Sequence, residues 1–290
     1  LPALSLATSN FDVEFVTLSG NQMASENNKK HCFKFGFSDI DYSIYDLILI
    51  SVPQAQVCKV IDSIGDVHKN KIMIDTPVTR DIYLRAKNTP IKVMEDIVFL
   101  PFNDLVKKFG EIGNIVMRYS GYQYHGVALA KYLINYKVVK SKSIRNIERD
   151  EILIYFANNK KVEIKNPRNY KKGYIEVIYE SGEKLIIGNK NTYEKFENSS
   201  KYIDGENLFL QDEGFKEKIQ PIIKKINKNN FIETIHDFKL LGLSNMFYRA
   251  FNNSYEDLPS VSSCYEDYKI TYNITIFNRL KWKYNKIKGR

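Results

Sequence analysis

The order of apolar and polar positions in the first half of the chain predicts strands that alternate with helices. Residues 11–18 (FDVEFVTL) alternate apolar and polar side chains, as a strand with one buried face does. Residues 45–52 (YDLILISV) are almost continuously apolar, which indicates a strand of a parallel sheet that helices cover on both faces. The next predicted elements are a helix over 57–64, a strand over 71–75, a helix over 78–87 and a strand over 91–95. This succession predicts an α/β fold.

The pattern changes after about residue 136, where short strands separated by turn residues replace the alternation. The predicted strands there are 151–157, 161–164, 173–179 and 183–188, and the predicted helices of the tail are 215–227, 232–251 and 265–283. Ahead of this change, the predictions are a helix over 103–109 and a turn over 111–113. We therefore predict a Rossmann-type nucleotide-binding domain over 1–118 and, over 119–290, an α+β domain with a mainly antiparallel sheet.

Composition narrows the class of protein only in part. The 290 residues are 43% hydrophobic and 27% charged, which is typical of a folded chain and excludes a disordered one. The 43 basic and 34 acidic side chains leave a net charge of +9, which suits a polyanion, an anionic small substrate or a lysine-rich surface. No RNA-binding motif accompanies the basic clusters, so we favour a lysine-rich surface and predict no nucleic-acid partner.

The cysteines and the apolar runs indicate the cellular setting. Cys32, Cys58 and Cys264 lie far apart and form no C-x-x-C pair, so we predict neither a metal site nor a disulfide framework. A reducing, cytoplasmic location follows from this as an expectation. The longest apolar run is too short to span a bilayer, and we predict no membrane partner.

The residues that follow the predicted parallel strands are candidates for ligand binding, because ligands of open parallel sheets bind at the carboxyl ends of the strands. The candidate cofactor-binding residues are Ser19, Ser51, Val52, Pro53, Gln54, Asp75, Thr76 and Pro77. The alternative is that these are turn residues with no role beyond reversing the chain.

His125 is the candidate for proton transfer. It lies in 119–133 (YSGYQYHGVALAKYL), at the start of a predicted helix, where the positive end of the helix dipole favours the neutral imidazole. A neutral histidine can take a proton from a hydroxyl group while hydride leaves the same carbon, and Tyr124 is a candidate helper. The other three histidines lack comparable tyrosine-rich surroundings; the alternative for His125 is a purely structural role.

The order of motifs over about residues 1–190 adds a family resemblance. A strand is followed by S-V-P-Q, a second by D-T-P, and then come P-F-N-D-L-V-K-K-F-G-E-I-G-N-I-V and Y-H-G-V-A-L-A-K-Y-L. This order resembles the glucose-fructose oxidoreductase and inositol dehydrogenase (Gfo/Idh/MocA) family. The resemblance implies a nicotinamide-binding Rossmann domain and a second domain whose open antiparallel sheet forms the substrate site and, often, an oligomer interface.

The resemblance also implies roles for single residues. The loop 52–54 falls on the family's T-P-P next to the nicotinamide, and 75–77 falls on its E-K-P, so that Thr76 stands where the family has its catalytic lysine. His125 falls on the histidine of D-x-x-x-H, and Gly121 stands at the aspartate position. Two of the family's three catalytic groups are therefore replaced.

The implied activity is that of an NAD(P)-dependent oxidoreductase acting at a hydroxyl or carbonyl carbon of a sugar, a sugar nucleotide or a similar small molecule. Because threonine carries no charge to stabilise a developing alkoxide, the alternative is a catalytically weakened binding or regulatory relative. The cofactor is NADP or NAD, since 18–20 lacks the acidic residue that holds the ribose of NAD, and Ser19 accommodates a 2′-phosphate. The net charge favours an anionic substrate, and the second sheet suggests a homo-oligomer.

One expected motif is missing from the sequence. No G-x-G-x-x-G turn precedes the first predicted strand, although dinucleotide-binding folds bind the pyrophosphate there. In the strand order 3-2-1-4-5-6 the strand before this turn is central. We therefore expect a parallel sheet that lacks its first strand, and a natural polypeptide that carries about 15–25 further residues upstream of Leu1.

Overall fold

The computed structural model describes residues 14–17, 32–35, 40–66, 68–100, 103, 106–107, 109–118, 123–145, 150–166, 174–188, 200–203, 239–252 and 255–272. The chain divides into two compact units. The first takes in Leu1–Met94 with Tyr248–Tyr265, and the second takes in Glu95–Phe247 with Glu266–Arg290. Residues 95–118 thus fall in the second unit, and the functional division into domains 1–118 and 119–290 stays a prediction.

The first unit contains the parallel strands and their connecting helices. The strands are β1 (Glu14–Thr17), β2 (Cys32–Phe35), β3 (Ile48–Ile50), β4 (Ile72–Asp75) and β5 (Lys92–Met94), and the helices are α1 (Gln54–Ile64) and α2 (Arg80–Ala86). Every strand pairing among them is parallel. The predicted α/β class is confirmed.

The described parallel strands form two sheets instead of one. β1 pairs with β2, and β3, β4 and β5 form a second sheet in that order. The sequence upstream of Leu1 stays a prediction.

The core of the first unit forms because α1 is apolar on one face. Val57, Val60, Ile61 and Ile64 follow the spacing of one helix face, and all four are buried. They pack in one cluster with residues of the central strand β4, whose Ile72–Ile74 segment is fully buried on both faces, as the continuous apolar run indicates.

The second unit is built on a seven-stranded mixed sheet. Its strands are β6 (Ile112–Arg118), β7 (Val138–Arg145), β8 (Asp150–Phe156), β9 (Lys161–Asn166), β10 (Tyr174–Tyr179), β11 (Lys184–Gly188) and β12 (Ser200–Ile203). Their order is β12-β11-β10-β6-β9-β8-β7, with parallel pairing only between β6 and β9 and between β11 and β12. The predicted, mainly antiparallel sheet is confirmed.

The turn predicted at 111–113 is wrong over most of its length. Ile112 and Gly113 begin strand β6, which pairs with both β9 and β10. The physical reason is the core: Ile112, Ile115 and Met117 are buried from this strand, and that burial outweighs the local turn propensity of glycine.

Three further helices are described: α3 (Gln123–Ile134), α4 (Lys239–Phe251) and α5 (Val261–Tyr272). In α3, every residue except Lys131 and Tyr132 is buried, and its apolar side chains pack in one cluster with β6, β8, β9 and β10. The helix predicted over 215–227 lies outside the described residues. Among the described helices, none has the length and apolar character needed to cross a membrane.

Candidate active site

Two groups of side chains are candidates, one in each unit. The first lies at the carboxyl ends of β3 and β4, which are neighbours because Ile50 pairs with Ile74. Ser51 Oγ donates a hydrogen bond to Asp75 Oδ2 at 3.2 Å, and the backbone N–H of Thr76 donates to Asp75 Oδ1 at 2.8 Å. The structure therefore brings the two predicted strand-end loops together through Asp75.

Gln54 is a buried acceptor in the first of these loops. It is the first residue of α1 and follows Pro53, the residue that caps the helix. Its Oε1 is inaccessible to solvent and has no hydrogen-bond partner among the described residues. A buried acceptor that lacks a donor is costly, by roughly 1–3 kcal/mol, so this oxygen can bind a donor supplied by a ligand.

The remaining candidate residues belong to the same two loops. Val52 and Pro53 lead from β3 into α1, and the Thr76–Pro77 peptide bond, which follows β4, is cis. Thr76 and Pro77 are half-buried. Ser19 lies outside the described residues. Cofactor binding by all of these residues stays a prediction.

The second group surrounds His125 in the second unit. His125 is the third residue of α3 and is 8% exposed. Its Nδ1 lies 2.5 Å from Oε1 of Glu95, which is 2% exposed and follows β5 directly. Tyr124 packs its ring against the imidazole at a centroid distance of 4.4 Å. The predicted pair Tyr124 and His125 is thus together, beside a carboxylate that the sequence analysis missed.

The position of His125 follows from how α3 is held on the sheet. Gln123 Nε2 donates a hydrogen bond to Asp150 Oδ1 at 3.1 Å, which fixes the first turn of the helix at the start of β8. Gly126 has no side chain, which lets the helix approach Ile164 and Met117 so closely that a Cβ atom there would lie 3.1 Å from the Ile164 side chain.

Asp96 extends this cluster. It is 3% exposed, and ligand atoms of Glu95, Asp96 and His125 all lie within 4.8 Å of one another. Such a set of oxygen and nitrogen atoms could ligate a divalent cation. Two of these atoms, Nδ1 of His125 and Oε1 of Glu95, already contact each other directly. The absence of a metal stays a prediction.

An ion pair between a half-buried lysine and a buried aspartate lies further along α3. Lys131 Nζ is 2.7 Å from Asp267 Oδ1, and Asp267 belongs to α5. Burial raises the pKa of Asp267 to about 7; Lys131 opposes this rise, and the negative charge of Glu95 adds to it. The carboxylate of Glu95 therefore interacts with the charge of Asp267 on α5.

A sequence signal for Glu95 exists. Ligands of open parallel sheets bind at the carboxyl ends of the strands, where Ser51 and Asp75 lie. Glu95 is in the same kind of position, because it follows β5. Asp267 has no such signal, since it lies 136 residues from Lys131 in the sequence and only the tertiary fold joins them.

Comparisons with known proteins place the fold but not the family. No family model matches the sequence, and no curated protein matches it. A crystal structure of a dehydrogenase from Chromobacterium violaceum matches with a TM-score of 0.52 at 11% identity, over 90% of this chain and 85% of that one. This chain shares the fold of that protein.

Two further solved structures are similar at lower TM-scores. A putative myo-inositol dehydrogenase from Sinorhizobium meliloti 1021 has a TM-score of 0.42 and 14% identity, over 78% of this chain and 84% of that one. The scyllo-inositol dehydrogenase from Lactobacillus casei, solved with NAD(H) and scyllo-inositol bound, has a TM-score of 0.40 and 14% identity, over 80% and 86%.

Proposed function

We propose that the chain is an NAD(P)-dependent oxidoreductase that acts at a hydroxyl or carbonyl carbon of a sugar, a sugar nucleotide or a similar small molecule. The observation that carries this proposal is the strand-end edge of the first unit, where Ser51 and Asp75 meet and where the loop after β3 leads to Gln54, whose Oε1 is buried and has no partner among the described residues. The fold shared with a dehydrogenase and the motif resemblance support it.

The residues of this edge fit a nicotinamide cofactor. A carboxamide group offers an N–H donor of the kind that Gln54 Oε1 lacks, and the Asp75 and Thr76 side chains offer hydrogen-bonding groups for ribose hydroxyls. The cofactor, NADP or NAD, accepts or delivers the hydride when it is bound. Ser19, Ser51, Val52, Pro53, Gln54, Asp75, Thr76 and Pro77 form the proposed cofactor site.

In this proposal His125 exchanges the proton of the substrate hydroxyl, and Tyr124 packs against it. The net charge of +9 favours an anionic substrate, such as a phosphorylated or nucleotide-linked sugar. We further propose a cytoplasmic protein without nucleic-acid or membrane partners.

The test is a fluorescence titration of the protein with NADH and NADPH. We expect saturable binding of at least one of them, and we expect Gln54→Leu to weaken it about 10-fold, because a hydrogen bond to a buried acceptor is lost. Gln56→Leu is the matched control: Gln56 lies two residues further along the same helix, and cofactor affinity should not change.

Absence of binding by both nucleotides contradicts the proposed function. If a nucleotide binds but no polyol or sugar is oxidised, the alternative of a binding or regulatory protein is favoured. Thr76 supports this alternative, because it stands at the position of the catalytic lysine in the family that the sequence resembles.

A further inference from the structure

Glu95 and His125 form a close contact between two buried polar side chains. Both side chains are buried, at 2% and 8% exposure, and Oε1 lies 2.5 Å from Nδ1. A carboxylate removed from water in this way is stable only if a donor or a positive charge compensates it. The imidazole N–H supplies that compensation, and so the two groups hold each other in place.

The segment that carries Glu95 is itself held firmly. Glu95 immediately precedes a single 3-10 turn, Asp96–Phe99. Asn103 Nδ2 donates a hydrogen bond to Ile97 O at 3.0 Å, and Asn245 Nδ2, on α4, donates to Phe99 O at 3.1 Å. The carboxylate is therefore presented by a short turn that two side-chain amides fix at its backbone.

The contact determines which ring nitrogen carries the hydrogen of the neutral imidazole. A carboxylate that accepts from Nδ1–H keeps the hydrogen of a neutral imidazole on Nδ1 and leaves the lone pair on Nε2. In the family that the sequence resembles, a carboxylate four residues before the histidine is part of the motif, and that position is Gly121 here. Glu95 lies thirty residues before His125 and comes from a different element.

We infer that Glu95 is the positioning residue of His125: it holds the imidazole with Nδ1 protonated, so that Nε2 takes the proton of the substrate hydroxyl. This rests on the proposed function. During oxidation the O–H bond breaks and its proton goes to Nε2, while a bound nicotinamide would supply the acceptor for the hydride of the same carbon. The resulting imidazolium, with a proton on each nitrogen, is neutralised by the carboxylate of Glu95.

Other charges face the same carboxylate. Asp96 lies next to it, and Asp267 on α5 interacts with it through space while contacting Lys131. A substitution at Glu95 must therefore be compared with the loss of one negative charge elsewhere in the same network. Glu266→Gln does this, because Glu266 also pairs with Lys131, at 3.6 Å, but is exposed.

The first test is ¹⁵N NMR of the imidazole nitrogens, which reports the tautomer without any substrate or cofactor. In the wild-type chain we expect His125, assigned by its loss in His125→Asn, to carry its proton on Nδ1 at a pH where it is neutral. In Glu95→Gln we expect a population protonated on Nε2, because the amide can present its NH₂ group to Nδ1. Glu266→Gln should keep the wild-type tautomer.

The second test is turnover. With whichever of myo-inositol, scyllo-inositol and UDP-N-acetylglucosamine is oxidised, Glu95→Gln should lower kcat about 10²-fold, near the lower end of what a positioned general base contributes, with cofactor affinity unchanged. Glu95→Asp, which retains a carboxylate one methylene shorter, should recover part of that loss. Glu266→Gln should retain wild-type kcat.

The outcomes separate the two proposals. A wild-type His125 protonated on Nε2 overturns this inference even if Glu95→Gln does not fold, and so does an unchanged tautomer and kcat in a folded Glu95→Gln variant. Failure of NADH and NADPH to bind overturns the proposed function but leaves the tautomer measurement decisive for Glu95. If none of the three compounds is oxidised, the tautomer alone decides.

Discussion

Asp267 makes the stability of the folded chain depend on pH. Its pKa is about 7 in the folded protein, mainly because of burial, against an ordinary value of 3.8. Between these two values the folded chain holds a proton that the unfolded chain has lost, so the contribution of Asp267 to stability is fully present below about pH 4, is lost as the pH rises to about 7, and is then constant. The change corresponds to about 4 kcal/mol at most.

We expect Asp267→Asn to remove this contribution, because an amide does not titrate. The measurement is urea denaturation followed by circular dichroism at about pH 5 and about pH 8. The loss of stability between the two should be smaller in the variant than in the wild-type chain. Glu266→Gln is the comparison, since Glu266 pairs with the same lysine from an exposed position and is the smallest of the causes that raise this pKa, so it should reduce the difference much less than Asp267→Asn does. An equal difference in all three proteins contradicts the prediction.

Single residues were predictable from sequence where their chemistry is local. His125 stands out among four histidines because tyrosines and a helix start surround it; the structure places it, buried, beside Tyr124, and its role in proton transfer stays a prediction. Glu95 and Asp267 are different, because their importance comes from atoms thirty or more residues away. Glu95 follows a predicted strand, but its contact with His125 is not visible in the sequence, and Asp267 has no mark of its own among 34 acidic residues until the fold buries it.

The helices of the second unit depend on two glycines for their close packing. A Cβ atom at Gly242 in α4 would lie well inside 3.0 Å of the backbone oxygen of Asp96, whereas a Cβ atom at Gly126 in α3 would meet only side-chain atoms of Ile164 and Met117, at 3.1 to 3.4 Å. Backbone cannot move aside as the end of a side chain can. The two sites therefore differ in how they tolerate a methyl group.

We expect Gly242→Ala to destabilise the chain by roughly 2–3 kcal/mol, because α4 must separate from the turn at Asp96–Phe99. Gly126→Ala should change stability by less than about 1 kcal/mol, since the helix propensity of alanine offsets the small displacement of Ile164. Thermal and urea denaturation of both variants measure this. The opposite order, with Gly126→Ala the more damaging, contradicts the packing described here.

The strands and helices themselves were largely predictable. A strand that is buried on both faces has a continuous apolar run, as β3 and β4 do. A strand that is buried on one face alternates apolar and polar residues, as β8 to β11 do. The start of β6 was not, since Glu111, Ile112 and Gly113 favour a turn locally and only pairing with β9 and β10 makes them extend. The pairing order of the seven strands has no local signal.

At the scale of the whole molecule, the mixed sheet has two different faces. Ile152, Ile154 and Phe156 of β8 point into the core, so Leu153 and Tyr155 between them point to the opposite face, where they are half-buried. Leu153 has Lys142 and Glu163 as its neighbours across the sheet. This face combines apolar and oppositely charged groups, which suits contact with a second copy of itself.

We therefore propose that the chain forms a homo-oligomer through this face of the sheet, and we expect sedimentation velocity to give a mass of at least two chains. Leu153→Glu should dissociate it, because the new carboxylate would lie next to Glu163 and would lose its water when the interface forms. Leu84→Glu is the matched control: Leu84 lies on α2 and is 54% exposed, so its substitution places the same charge in solvent. A monomeric wild-type chain contradicts the proposal, and an intact oligomer in Leu153→Glu shows that another surface holds the subunits together.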